Sequence, residues 1–120
     1  MEDRRKRAGN YGEAAAAGYL EARGYGILMQ NFRAMGGEID IIARDGEYIV
    51  FVEVKYRRQT AYGRPIEAIT EKKRRAIIAA AYGYLAKNGR GDEYCRFDVI
   101  EVFGREQLEI NHIENAFGEN

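Results

Sequence analysis

A chain of 120 residues, 46% apolar and 32% charged, is long enough for one domain with its own core. Nineteen Lys and Arg balance nineteen Asp and Glu, so the net charge announces no polyanionic partner. One cysteine and one histidine exclude an intramolecular disulfide, a Cys/His zinc site and a chymotrypsin-like triad, leaving carboxylates, Lys or Tyr for acid/base or metal chemistry.

In chain order, residues 1–10 carry the basic run "RRKR" and read as a flexible N-terminus without an apolar signal-peptide core. With the lone cysteine, this gives a cytoplasmic expectation and no membrane partner. "YGEAAAAGYLEARG" (residues 11–24) predicts an Ala-rich helix that stops at Gly24. Residues 27–33 read as a strand. Residues 38–44 and 47–56 read as a β-hairpin around Asp45-Gly46. Residues 57–65 read as a loop, and 66–87 as an amphipathic helix with Ile66, Ile69, Ile77, Ala81 and Leu85 on one side. "NGRGD" ends it, and 94–103 and 108–117 complete two more strands. The order α-β-β-β-α-β-β predicts a mixed central sheet flanked by helices, in the α/β or α+β class. One domain is expected over residues 11–117.

The hairpin carries three charges inside apolar runs: Asp40, Glu53 and Lys55. A turn centred on Asp45-Gly46 pairs Asp40 with Phe51 and Glu38 with Glu53. Alternation then sends Glu38, Asp40, Phe51, Glu53 and Lys55 to one face, and Ile39, Ile41, Ala43, Val50, Val52 and Val54 to an apolar one. On this register Asp40 and Glu53 are diagonal neighbours, roughly 7–8 Å apart at Cα. A divalent cation could bridge them, and Lys55 lies beside them to orient a water or balance charge on a phosphate. A one-residue bulge would flip one strand and dissolve this grouping. The alternative is a surface ion cluster on a solvated sheet face.

Asp40 followed across a hairpin by Glu53-Val54-Lys55 resembles the core motif of the PD-(D/E)xK nuclease superfamily. "GNYGEAAAAGYL", "GEIDIIARDG", "VFVEVKYR", "YGRPIEAIT" and "RFDVI", in this order, resemble the YraN-like family of small bacterial proteins, from about residue 9 to 117. That family is similar to Holliday-junction resolvases and other endonuclease-like folds. The resemblance implies a restriction-endonuclease-like domain and Mg²⁺ or Mn²⁺ as cofactor. Asp40 and Glu53 would be metal ligands with the Val54 backbone carbonyl, Glu13 would complete the acidic site, and Lys55 would be the catalytic lysine. It implies Lys73 as a basic position near the scissile phosphate. It also implies a metal-dependent endonuclease acting on structured or branched DNA, where a homodimer would supply two cutting sites.

Two other readings stand beside it: a nucleic-acid-binding protein with the nuclease fold but little activity, and a structural domain with an incidental acidic face. Glu38 either caps its strand or binds a second metal, and Glu13 has a dipole-favoured reading near a helix start. Arg4, Arg5, Lys72 and Arg57 are candidate phosphate contacts, and Tyr11, Tyr56 and Tyr62 candidate stacking residues. Arg96 and Asp98 read as a structural ion pair near a sheet edge, and His112 as a surface histidine.

Overall fold

The computed structural model describes residues 4–57, 69–89 and 93–118, with side chains from Asn10 onward. Two helices and five strands follow in the expected order: α1 (Arg4–Ala22), β1 (Gly26–Ala34), β2 (Gly37–Asp45), β3 (Tyr48–Arg57), α2 (Glu71–Asn88), β4 (Tyr94–Phe103) and β5 (Glu109–Phe117). The strands form one sheet in sequence order, antiparallel except for the parallel β3–β4 pair. That parallel step needs a crossover, and α2 lies within it. No helix among the described residues is long and apolar enough to cross a membrane.

The helix α1 begins at Arg4, earlier than the expected start at residue 11. Four of its buried positions, Glu13, Ala16, Ala17 and Leu20, follow the i, i+3, i+4, i+7 spacing of one helical stripe. Gly24 (φ 91°) ends it, with Tyr25 N–H donating to Leu20 O at 3.0 Å and Gly24 N–H to Glu21 O at 3.0 Å. This is the left-handed glycine cap, and Tyr25 and Leu20 close it by packing in the same core. The second helix starts after Thr70, whose Oγ1 accepts the Lys73 N–H at 3.1 Å. Ile69 stays buried just outside it, and Ile66 lies outside the described residues.

Each helix covers one face of the sheet. Ala16, Ala17 and Leu20 of α1 pack on Ile41, Ala43, Val50, Val52, Ile100 and Val102. Ile77, Ala80, Ala81 and Tyr84 of α2 pack on Ile39, Ile42, Ile49 and Phe51. Burying side chains of this kind is worth about 1.5–3 kcal/mol each, which is why the strands are apolar on both faces.

These memberships correct the expected hairpin. The observed register pairs Asp45 with Tyr48 and Ile41 with Val52, so Gly46 and Glu47 form the loop, not Asp45-Gly46. Gly46 takes φ 59°, as the first central position of a two-residue turn often requires. Continued, this register sets Asp40 against Glu53 and no longer against Phe51, and Glu38 does not oppose Glu53. Nor is the second face uniform. Ile39 packs under α2 while Ile41 packs under α1, so alternation breaks at Asp40. Opposite it in β1, between the pairs Gln30–Ile41 and Phe32–Ile39, Asn31 has φ 54°. The two strands kink together at Asn31 and Asp40.

His112 is also corrected: its side chain is 5% exposed, and Nε2 lies 2.7 Å from Asp98 Oδ2. Arg96 grips the same carboxylate in a fork, Nε to Oδ1 at 2.9 Å and Nη2 to Oδ2 at 3.0 Å, and reaches Asp45 at 3.0 Å. The ion pair exists as expected, but on β4, which lies inside the sheet between β3 and β5. Tyr19 OH and the Asn115 N–H complete the network. It ties α1, β2, β4 and β5 at the end of the hairpin that carries the β2–β3 turn.

Candidate active site

At the other end of the hairpin, the β2–β3 pairing stops at Ile41–Val52. The Val54 N–H donates to Asp40 Oδ2 at 2.8 Å. A carboxylate from β2 thus fills a place that a strand carbonyl would fill in a continuing ladder. The bond draws the Asp40 side chain to the point where the strands part, between the two faces.

On the α1 face, Glu13, Glu38, Asp40, Asn31 and Val54 line a cavity of about 490 Å³ together with Asn10 and Arg33. Glu13 reaches it because it lies on the core stripe of α1 one turn before Ala16 and Ala17. Its Oε1 is buried without a hydrogen-bond partner among the described residues. Burial, followed by the charges of Asp40 and Glu38, pushes the Glu13 carboxyl up to about 7.

On the α2 face stands Glu53, buried, with Lys73 Nζ 3.4 Å from its Oε2. Burial raises its pKa, as do a hydrogen bond to Asp40 and the Asp40 charge, against the opposing pull of Lys73. Asp40 therefore interacts with a carboxylate on each side of the sheet. Alternation along β3 puts Lys55 and Arg57 on the same face as Glu53, beyond it toward the strand end.

The structure thus brings Glu13, Glu38, Asp40 and Val54 to one cavity, and Glu53 with Lys73 to its back. Lys55 follows along β3. Lys72 is exposed in the first turn of α2. Arg57 Nε pairs with the buried Glu101 at 3.6 Å. Tyr62 and the side chains of Arg4 and Arg5 lie outside the described residues. Tyr56 is a structural tie, with its OH donating to Gly104 O at 2.8 Å and its ring edge-on to Tyr11.

Four lining or supporting residues escaped the sequence reading: Asn10, Asn31, Arg33 and Glu101. Asn31 carried a usable signal, since asparagine tolerates a left-handed backbone better than other non-glycine residues. Glu101 carried another, as a charge in the apolar run "DVIEVF". For Asn10 and Arg33 no local pattern distinguishes a lining residue from a solvated one.

The donor set is all oxygen, which suits a hard cation such as Mg²⁺ or Mn²⁺. One observation fits one: the Glu13 Oε1, buried without a hydrogen-bond partner among the described residues. Among the described residues no three Asp, Glu, His or Cys side chains close into a ready-made cage. Mg²⁺ does not need one, because it keeps several waters and takes one or two carboxylates plus substrate phosphate.

This is an α+β domain whose sheet carries an acidic cluster at a strand-parting point. Residues 12–102 match the family described as Uncharacterised protein family UPF0102. A UPF0102 protein of Geobacter metallireducens is 51% identical over 113 residues, covering 93% of each chain. Relatives of the same description from Clostridioides difficile (47% identical, covering 93% of this chain and 97% of the relative) and Dehalococcoides mccartyi (40%, covering 99% of each) are similar along the same length. The chain belongs to UPF0102, the YraN-like family.

Proposed function

We propose that this protein is a Mg²⁺- or Mn²⁺-dependent endonuclease that hydrolyses phosphodiester bonds in structured or branched DNA. The observation that carries the reading is Asp40, held by the Val54 N–H between Glu13 on one face and Glu53 on the other. Carboxylates collected at such a point repel one another, and a divalent cation turns that cost into binding energy.

Asp40, Glu53 and the Val54 carbonyl would hold the ion, with Glu13 assisting through metal or water. When bound, it would neutralise the phosphate and lower the pKa of an attacking water. Glu13, with a carboxyl near neutrality, can hold or release a proton at Oε1. Lys55, two residues beyond Glu53, orients the water or balances charge building on the phosphoryl oxygens. Lys72, Lys73 and Arg57 supply backbone contacts, joined by Arg4 and Arg5, with Tyr62 stacking on unpaired bases. Two copies of the chain would cut the two strands of a junction.

A second reading, a nucleic-acid-binding protein with little activity, draws on one observation. Lys73 Nζ already sits 3.4 Å from Glu53 Oε2, where a metal would act. A panel of single-stranded, duplex, flap and four-way-junction DNA separates the two. Cleavage of at least one member with Mg²⁺ or Mn²⁺, abolished by EDTA, supports the nuclease. Salt-sensitive junction binding without any cleavage supports the second reading.

A further inference from the structure

Lys73 sits in the first turn of α2, where the Thr70 cap fixes its backbone through the 3.1 Å Lys73 N–H to Oγ1 bond. Its side chain reaches back to the sheet and meets Glu53. The two partners differ in freedom. The Glu53 side chain is 8% exposed and belongs to a central strand, whereas that of Lys73 is 49% exposed. The carboxylate is fixed, and the ammonium has a way out. That way out is a second cavity, of about 620 Å³, which Lys73 lines with Arg33, Glu38 and Gly37. Arg33 and Glu38 also line the first cavity, so the two cavities adjoin at these residues. Within it Glu38 is engaged by Arg33 at 3.3 Å.

We propose that Lys73 is the resident counter-ion of Glu53, exchanging with the divalent cation, and that the displaced ammonium turns into the outer cavity to hold a nucleic-acid phosphate. This rests on the metal-site reading given above. A buried carboxylate without a partner is costly, and Lys73 meets that need before a metal arrives. A divalent ion on the same carboxylate repels the ammonium, which has the open cavity to enter. Metal loading then adds a free cation to the substrate cleft, and by linkage the phosphate strengthens metal binding in return. Lys73 acts as a positioning residue, coupling the order in which metal and substrate are held.

Titration calorimetry of the full chain with Mn²⁺ alone tests the exchange, using wild type, Lys73→Met, Lys73→Arg and Asp40→Asn. Removing the competing charge should tighten Mn²⁺ binding about 3- to 10-fold in Lys73→Met. Lys73→Arg should stay near wild type, and Asp40→Asn should lose binding. Binding in Lys73→Met that is unchanged or weaker overturns the exchange, while loss in Asp40→Asn still upholds the metal site. Binding by Lys73→Met alone supports the exchange, with wild type held closed by its own lysine. If no variant binds Mn²⁺, both readings fall. The phosphate half has its own readout, the affinity for a nuclease-resistant phosphorothioate junction. Mn²⁺ should raise that affinity in wild type, and by clearly less in Lys73→Met. Equal gains overturn it.

Discussion

Asp40 accepts the backbone N–H of Val54 at 2.8 Å, so one residue both ends the β2–β3 ladder and presents a carboxylate at its end. The two roles can be separated by substitution. Asp40→Asn keeps an acceptor for Val54 and removes a charge beside Glu13 and Glu53, so stability should hold or rise. Asp40→Ala strands the N–H and should cost about 1–3 kcal/mol. Urea unfolding of both variants measures the difference, and equal losses would show that the bond does not hold the strand end.

The raised Glu13 carboxyl sets a pH dependence with a definite sign. The native state binds this proton more tightly than the unfolded chain, so its contribution is complete below the ordinary carboxylate range. It is lost as pH rises through about 7. Metal-free wild type should therefore lose stability from about pH 5 to about pH 8, and Glu13→Gln should flatten that slope. Denaturant midpoints across the range test it. A slope unchanged in Glu13→Gln would place the titrating group elsewhere.

Asp98 works in the opposite direction. Burial pushes its carboxyl up, but hydrogen bonds from His112, Arg96 and the Asn115 N–H, with the Arg96 charge, pull it below the usual range. Its contribution is present above the ordinary carboxylate range and lost as pH falls below it. Asp98→Ala leaves Arg96 without its main partner and should cost about 3–5 kcal/mol. Because this network lies at the far end of the hairpin, Mn²⁺ affinity of the folded fraction should stay at the wild-type value.

Gly37 holds the wall between the cleft and α2. A methyl group there would collide with the Ala76 carbonyl oxygen, a backbone atom with little room to move. Gly37→Ala should cost about 1–3 kcal/mol and lower the melting temperature. Gly26, where an added Cβ meets nothing within 4 Å, supplies the control.

Much of this was legible from the residues. Strand and helix order followed from Ile/Val runs, the Ala-rich stretch and Gly24. The charges in "EIDIIARDGEYIVFVEVK" pointed to the stretch where Glu38, Asp40 and Glu53 gather. The register was not legible, because Asp45-Gly46 and Gly46-Glu47 are both acceptable loops and only packing decides between them. Nor was the kink. It depends on Asn31 and Asp40 meeting across two strands, and the sequence separates them by nine positions. His112 read as surface because its partners Tyr19 and Asp98 come from other elements. Yet the kink that breaks the expected single face leaves Asp40 reaching carboxylates on both.

The most direct measurement is single-turnover cleavage of end-labelled four-way-junction DNA at saturating Mg²⁺ by wild type, Asp40→Asn, Glu53→Gln and Lys55→Ala. Wild type should cut, and each variant should fall by at least about 100-fold while remaining folded, with Lys55→Ala still binding the junction. Cleavage that persists in all three variants would contradict a hydrolytic centre at Asp40, Glu53 and Lys55.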